Sequence, residues 1–222
     1  MKQNVKNIHT VCVIVAHPDD ETLWAGGMIL MHPEWDCKVF TLCRASDHDR
    51  APKFYQALLK LGVSGHMEDF DDGAKQIPLS ESNIQQAILN FINHNHFDLI
   101  LSHGPRGEYT RHRRHEEVSK AVLTLWLNGA IDVNKIWLFA YTDGNKKHLP
   151  EPEPNAHYKI PLPPSILKDK QTIITEIYGF TPDSWEMQTT PQEEAFWTFN
   201  SQTEAQKWLK ERMPDNENLS SL

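Results

Sequence analysis

The chain has 222 residues, enough for one domain with a sizeable core. Its 22 Lys+Arg against 30 Asp+Glu leave a formal charge of −8, which argues against a nucleic-acid or anionic-membrane binder. Apolar residues at 39% and charged residues at 23% exclude a disordered chain and a fibre.

Met1–Thr10 is polar, without the apolar stretch of a secretory leader. Val11–Val15 is continuously apolar, as a strand buried on both faces is, and the run Val11–Ala16 is too short to span a bilayer. Glu21–Met31 reads as a helix and Lys38–Leu42 as a second strand. Phe54, Ala57, Leu58 and Leu61 stand at i, i+3, i+4 and i+7, a helix ended by Gly62. His66–Phe70 is a weak strand. Ile84, Ala87, Ile88, Phe91 and Ile92 mark a helix capped by Ser80. Leu99–Leu101 is a strand, Val118, Ala121, Val122, Leu125 and Trp126 mark a fourth helix, and Ile136–Tyr141 is a further strand. Six of the 14 prolines fall between 150 and 164, predicting an extended, semi-rigid loop. Gln192–Met213 reads as a terminal helix and Pro214–Leu222 as a frayed polar tail.

Strand–helix alternation predicts an α/β fold, a Rossmann-like three-layer sandwich with a mostly parallel central sheet. The expected organisation is a single domain over 1–222. Its catalytic core spans about 8–145, followed by a Pro-rich loop and C-terminal extension over 146–222. Ligands in such sheets sit beyond the carboxyl ends of the strands, so the segments after each strand carry the chemistry. The sparse cysteines Cys12, Cys37 and Cys43 imply no disulfide framework. A cytoplasmic protein is expected, and the 12 histidines make metal chemistry worth seeking.

After the first strand comes Ala16-His17-Pro18-Asp19-Asp20-Glu21-Thr22, then Gly26-Gly27. Acids at a helix start serve as cap and dipole partners. The same His17 and one carboxylate would also supply two of the three protein ligands of a hydrolytic zinc, with a second carboxylate left as base. After the fourth strand, His112 and His115 lie three apart on one helix face, ahead of the buried stripe headed by Val118. A ligand and a buried structural histidine fit that position equally. Arg44, Asp47, His48, Asp49 and Arg50 follow the second strand; Asp69, Asp71, Asp72 and Gly73 follow the third. Both groups also fit solvated loops, although Arg50 opens a helix where a cation opposes the dipole. Arg111, Arg113 and Arg114 read either as an anion site or as a solvated face beside Glu116 and Glu117. Cys43 reads as a small buried hydrophobe, and Trp126, Trp137 and Trp185 as core.

The run Ala16-His17-Pro18-Asp19-Asp20-Glu21, on a strand-to-helix turn with Gly26-Gly27 downstream, closely resembles the signature of the PIG-L/LmbE-like zinc N-deacetylases. The resemblance covers roughly the first 140 residues. It implies a zinc-dependent enzyme removing an N-acetyl group from an amino-sugar conjugate, a small-molecule partner, and homo-oligomers as one option. It further implies His17, Asp20 and His115 as zinc ligands, Asp19 as general base and His112 as the group stabilising the oxyanion. Arg50 and Asp72 would touch substrate. Family members commonly read His-Pro-Asp-His where this chain reads His112-Arg113-Arg114-His115, and Lys53 stands where an acid is expected. Two alternatives remain at this point: a non-catalytic sugar- or nucleotide-binding module, and an amidase on another N-acyl substrate.

Overall fold

The computed structural model describes residues 8–213; the predicted polar tail Pro214–Leu222 and the first seven residues lie outside them. β1 (Thr10–Val15) is fully buried from Val11 onward, which is why no polar residue alternates along it. The chain then runs α1 (Asp20–Met31), β2 (Asp36–Cys43), α2 (Arg50–Leu61), β3 (Ser64–Phe70), α3 (Glu81–Ile92), β4 (Phe97–Ser102), α4 (Arg113–Leu127) and β5 (Val133–Phe139). α2 stops at Gly62, whose φ of 75° suits the residue without a Cβ. Ser80 does stand at the start of α3, but its hydroxyl bonds Ser82 and caps nothing.

These five strands are parallel, in the order β3-β2-β1-β4-β5. Right-handed crossovers then put α1 and α2 on one face and α3 and α4 on the other. Accordingly α1 packs with α2 and α3 with α4. The order reverses between β1 and β4, so their carboxyl ends flank a crevice. The predicted three-layer sandwich is the observed fold.

The last third adds β6 (Tyr141–Thr142), β7 (Glu151–Pro152), β8 (Tyr158–Pro161), α5 (Pro164–Thr172), a π-helical turn at Ile173–Ile177, α6 (Trp185–Thr189), β9 (Glu193–Phe199) and α7 (Gln202–Arg212). The reading of Gln192–Met213 as one helix is corrected here. Its first half is β9, antiparallel to β5, and only Gln202–Arg212 is helical, capped by Ser201. Glu194–Phe199 is buried throughout, and a strand apolar on both faces shows no period that separates it from a helix. The Pro-rich stretch is likewise more than a loop. Tyr158–Pro161 pairs with β9 as the sheet edge, where a proline loses no partner, and Pro164 opens α5.

This added layer is pinned to α1. Glu194, fully buried, accepts from the Gly27 and Met28 amides (2.7 Å each) and from Lys170 Nζ (2.6 Å). Gly27 is the residue that permits it: a Cβ there would stand 2.7 Å from Leu162 Cδ1 and 2.8 Å from Glu194 Oε1. Among the described residues no helix is long and apolar enough to cross a membrane.

Candidate functional site

The crevice between β1 and β4 collects the predicted residues. The turn after β1 presents His17, Asp19 and Asp20; the long turn after β4 presents His103, Glu108, Tyr109, His112 and, one turn into α4, His115. β2 delivers Arg44 and Arg50, and β3 delivers Asp72. His17, Pro18, Asp19, Asp20, Leu23, Arg44, Arg50, Asp72, Tyr109, His112, Trp185 and Glu186 line an open cavity of about 160 Å³.

Three donor atoms meet at its floor. His17 Nδ1 lies 3.2 Å from Asp20 Oδ2, His115 Nε2 lies 3.4 Å from the same oxygen, and the two nitrogens are 3.3 Å apart. A tetrahedral centre with arms of about 2.0–2.1 Å needs ligand separations of about 3.3–3.4 Å. The surroundings decide what these atoms carry. His115 Nδ1 is 2.6 Å from Glu108 Oε2, and His17 Nε2 is 3.1 Å from Asp72 Oδ1. An ionised carboxylate only accepts, so those nitrogens hold the protons and the opposite ones turn their lone pairs inward. Two lone pairs and a carboxylate oxygen facing one another repel unless a cation sits among them. Burial opposes the charged form of both rings, yet Asp20, helped by Asp72 at His17 and by Glu108 at His115, outweighs it and both pKa values are raised: the carboxylates favour positive charge at this point, whether protons or a metal ion supply it. The donor set therefore fits zinc.

His103, which the sequence reading passed over, completes the buried network. Its Nδ1 is 2.9 Å from Glu108 Oε2, while the Ala16 amide donates to its Nε2 at 3.0 Å. Burial lowers its pKa, but Glu108 and Asp20 lift it to about 9. The amide bond nevertheless requires a lone pair on Nε2, so we assign the neutral ring with its proton toward Glu108. That use of Nε2 leaves His17 as the better donor, although His103 also stands 3.5 Å from Asp20. Trp24, equally unforeseen, orients Asp20 by donating to Oδ1 at 3.0 Å.

Asp19 occupies a φ of 125° and points its carboxylate at Arg50 Nη1, 3.4 Å away. Burial, then the charge of Asp20, hold its pKa well above the usual carboxylate range. Arg50 begins α2, as expected, with its amide bonded to Asp47 Oδ1 (2.9 Å). Its helix-start misfit is resolved by Asp19 and by the Phe180 ring, 4.5 Å from the guanidinium. His112 lines the cavity with a buried Nδ1 that has no hydrogen-bond partner. Burial, then His115 and His17, lower its pKa to about 3. Asp72 reaches the cavity wall with its oxygens engaged by His17, Arg44 and Gln76.

Arg114 is neither an anion site nor a solvated face. It is fully buried and bonds the Asp71 and Ile77 carbonyls, Asp71 and Glu117, tying the loop after β3 to α4. Arg111 pairs with Glu116 at the surface. Trp185 is corrected too: it is 37% exposed and stands edge-on to Tyr109 at 4.7 Å, a wall of the cavity. Cys43 is fully buried, as expected, though near enough to His17 and Asp72 to join a donor group.

Fold and site together define a doubly wound α/β protein with a histidine–carboxylate donor cluster at its switch point. The chain belongs to the PIG-L family, described as GlcNAc-PI de-N-acetylase, whose pattern matches residues 12–126. Among solved structures it is similar to the N,N'-diacetylchitobiose deacetylase of Pyrococcus horikoshii (TM-score 0.67, 14% identity, 90% of this chain and 86% of that one). It also resembles a zinc-inhibited form of a teicoplanin deacetylase (TM-score 0.63, 12% identity, 86% and 98%). A third similar structure is the 4-carboxy-2-hydroxymuconate hydratase of Pseudomonas putida KT2440 (TM-score 0.62, 12% identity, 86% and 96%). No curated protein matches the chain by sequence. The fold thus hosts more than one reaction, and the chemistry has to be argued from the site.

Proposed function

We propose that this protein is a zinc-dependent hydrolase that removes the N-acetyl group of an amino-sugar conjugate. The observation that carries the reading is the convergence of His17 Nδ1, Asp20 Oδ2 and His115 Nε2 within 3.2–3.4 Å of one another, beside the carboxylate of Asp19. His17, Asp20 and His115 would hold zinc, which supplies Lewis acidity toward a carbonyl and brings the pKa of water to about 7. Asp19 accepts the proton of the water that attacks the amide carbon, and its raised pKa suits it to hold that proton. It then gives the proton to the departing nitrogen, so that acetate and a free amine leave. Arg50 keeps the Asp19 carboxylate in place. His112 offers its ring to the developing oxyanion, an interaction typically worth about 3 kcal/mol. Asp72, bonded to His17, contributes by orienting that ring.

Zinc content and amine release test the proposal together. The chelated protein should be inert toward N-acetyl amino sugars, and one zinc per chain should restore release of the amine. A metal-replete protein that frees no amine from a panel of N-acyl amino sugars would overturn the substrate class. Less than about half a zinc per chain would favour a non-catalytic sugar- or nucleotide-binding module.

The aromatic wall bears on the sugar. Trp185 and Tyr109 present apolar ring surface at the cavity rim, suited to the C–H face of a pyranose. Trp185→Ala should raise KM roughly three- to tenfold, the weight of one aromatic contact, with kcat little changed. An unaltered KM would remove the wall from the binding site.

A further inference from the structure

We infer that the segment from Ile173 to Phe180, beyond the residues matched by the family pattern, is a strap that positions the base Asp19 through Tyr178 and Phe180. Asp19 has a φ of 125° and ψ of −29°, a conformation that L residues keep only where the surroundings over-determine it. The neighbouring Glu21 supplies the constraint. Its Oε2 accepts the Asp19 amide at 3.0 Å, and its Oε1 accepts the Thr22 hydroxyl (2.6 Å) and the Tyr178 hydroxyl (2.7 Å). Glu21 is fully buried, and Tyr178 is nearly so. An acid in that position has no water to satisfy it, and of the donors that hold it the Tyr178 phenol is the one brought from outside the β1–α1 turn.

The same segment reaches Asp19 a second time. The Phe180 ring carries the Arg50 guanidinium at 4.5 Å, and Arg50 faces the Asp19 carboxylate at 3.4 Å. Backbone and side chain of one residue are thus held from one strap, through two different intermediaries. The local folding explains the reach. Ile173 and Ile174 are fully buried anchors. The widened π-helical turn returns the Tyr178 amide to the Ile173 carbonyl (3.0 Å) and the Phe180 amide to Ile174 (3.2 Å), which brings both rings to the α1–α2 side of the crevice. A strap that only filled space would not need a phenol at 178; a phenylalanine would serve.

Tyr178 and Phe180 are positioning residues, and the kinetic part of this inference rests on the proposed role of Asp19. The test therefore has one arm without substrate. In the zinc-loaded full chain, Tyr178→Phe should speed hydrogen exchange at the Asp19 amide about tenfold, with exchange in β1 and β2 unchanged. The same variant should lower kcat about tenfold, the weight of one hydrogen bond to a charged group, with KM within about twofold and zinc content intact. Phe180→Leu should lower kcat about threefold, and Phe180→Tyr, which keeps a ring face under the guanidinium, should restore it. Unchanged exchange at Asp19 in Tyr178→Phe, or faster exchange spread through β1 and β2, would overturn the strap. If the parent protein releases no amine while the exchange result appears as expected, the strap stands and the hydrolase reading is what fails.

Discussion

Asp19→Asn should lower kcat roughly 10²–10⁴-fold, the range of a lost general base, while zinc stoichiometry stays at that of the parent. The geometry separates two roles that a pair of adjacent acids could share. Asp20 turns Oδ2 toward His17 and His115 and lends Oδ1 to Trp24. Asp19 faces Arg50 and the cavity, and none of its oxygens approaches the donor cluster as Asp20 does. Asn is the informative replacement. It keeps the size and branching of the aspartate, so the backbone at 125° carries about the same strain as in the parent. Ala would add strain and confuse chemistry with stability. Amine release with a metal assay on the same sample checks the prediction. A kcat within about tenfold of the parent would remove Asp19 from the proton transfer.

The β1–α1 turn was legible because its chemistry is local. His17, Asp19 and Asp20 lie within four positions, and a strand-to-helix turn sends their side chains in different directions. His115 was legible from the helical stripe, since it precedes Val118 by one turn and so faces the sheet. Glu108 was not. It sits on an irregular loop, where no period betrays a buried side, and its two partners His103 and His115 are five and seven residues away. Arg114 misled for the opposite reason. A basic run looks solvated, yet its last arginine is fully buried and spends its donors on the Asp71–Ile77 loop and on Glu117.

The fold divided along the same line. Parallel strands with short crossovers announce themselves by alternating apolar runs and amphipathic stripes, and β1 to β5 were read close to their limits. Past residue 141 the connections are antiparallel and rich in proline, and the helices are short. There the structure is set by partners distant in sequence, such as Glu194 on Gly27 and Tyr178 on Glu21. No window of neighbouring residues contains those pairs, so Trp185 and the strap emerged only from the three-dimensional arrangement.

Glu108→Gln should weaken zinc binding roughly 10–100-fold, as losing the carboxylate behind a ligating histidine does. Glu108 Oε2 serves His103 and His115 at once, and Oε1 accepts the Gly104 amide at 3.1 Å. A glutamine has one oxygen and one NH2 group. In either orientation the NH2 faces donors, so His115 loses its fixed tautomer or Gly104 loses its acceptor. The pH dependence gives an independent check on metal-free protein. Burial raises the Glu108 pKa, but His103 and then His115 outweigh it and bring it from 4.5 to about 2. A depressed folded-state pKa means stability that is present above 4.5 and lost as pH falls toward 2. Its upper limit is about 3.5 kcal/mol, at about 1.4 kcal/mol per pK unit, because a neutral His103 holds the carboxylate by its N–H bond and not by a charge. Urea unfolding of the parent and of Glu108→Gln should therefore differ most above pH 5, and the gap should close as the pH is lowered through 4 toward 2. A gap independent of pH would mean that Glu108 is not ionised in the folded chain, and the tautomer assigned to His115 would fall with it.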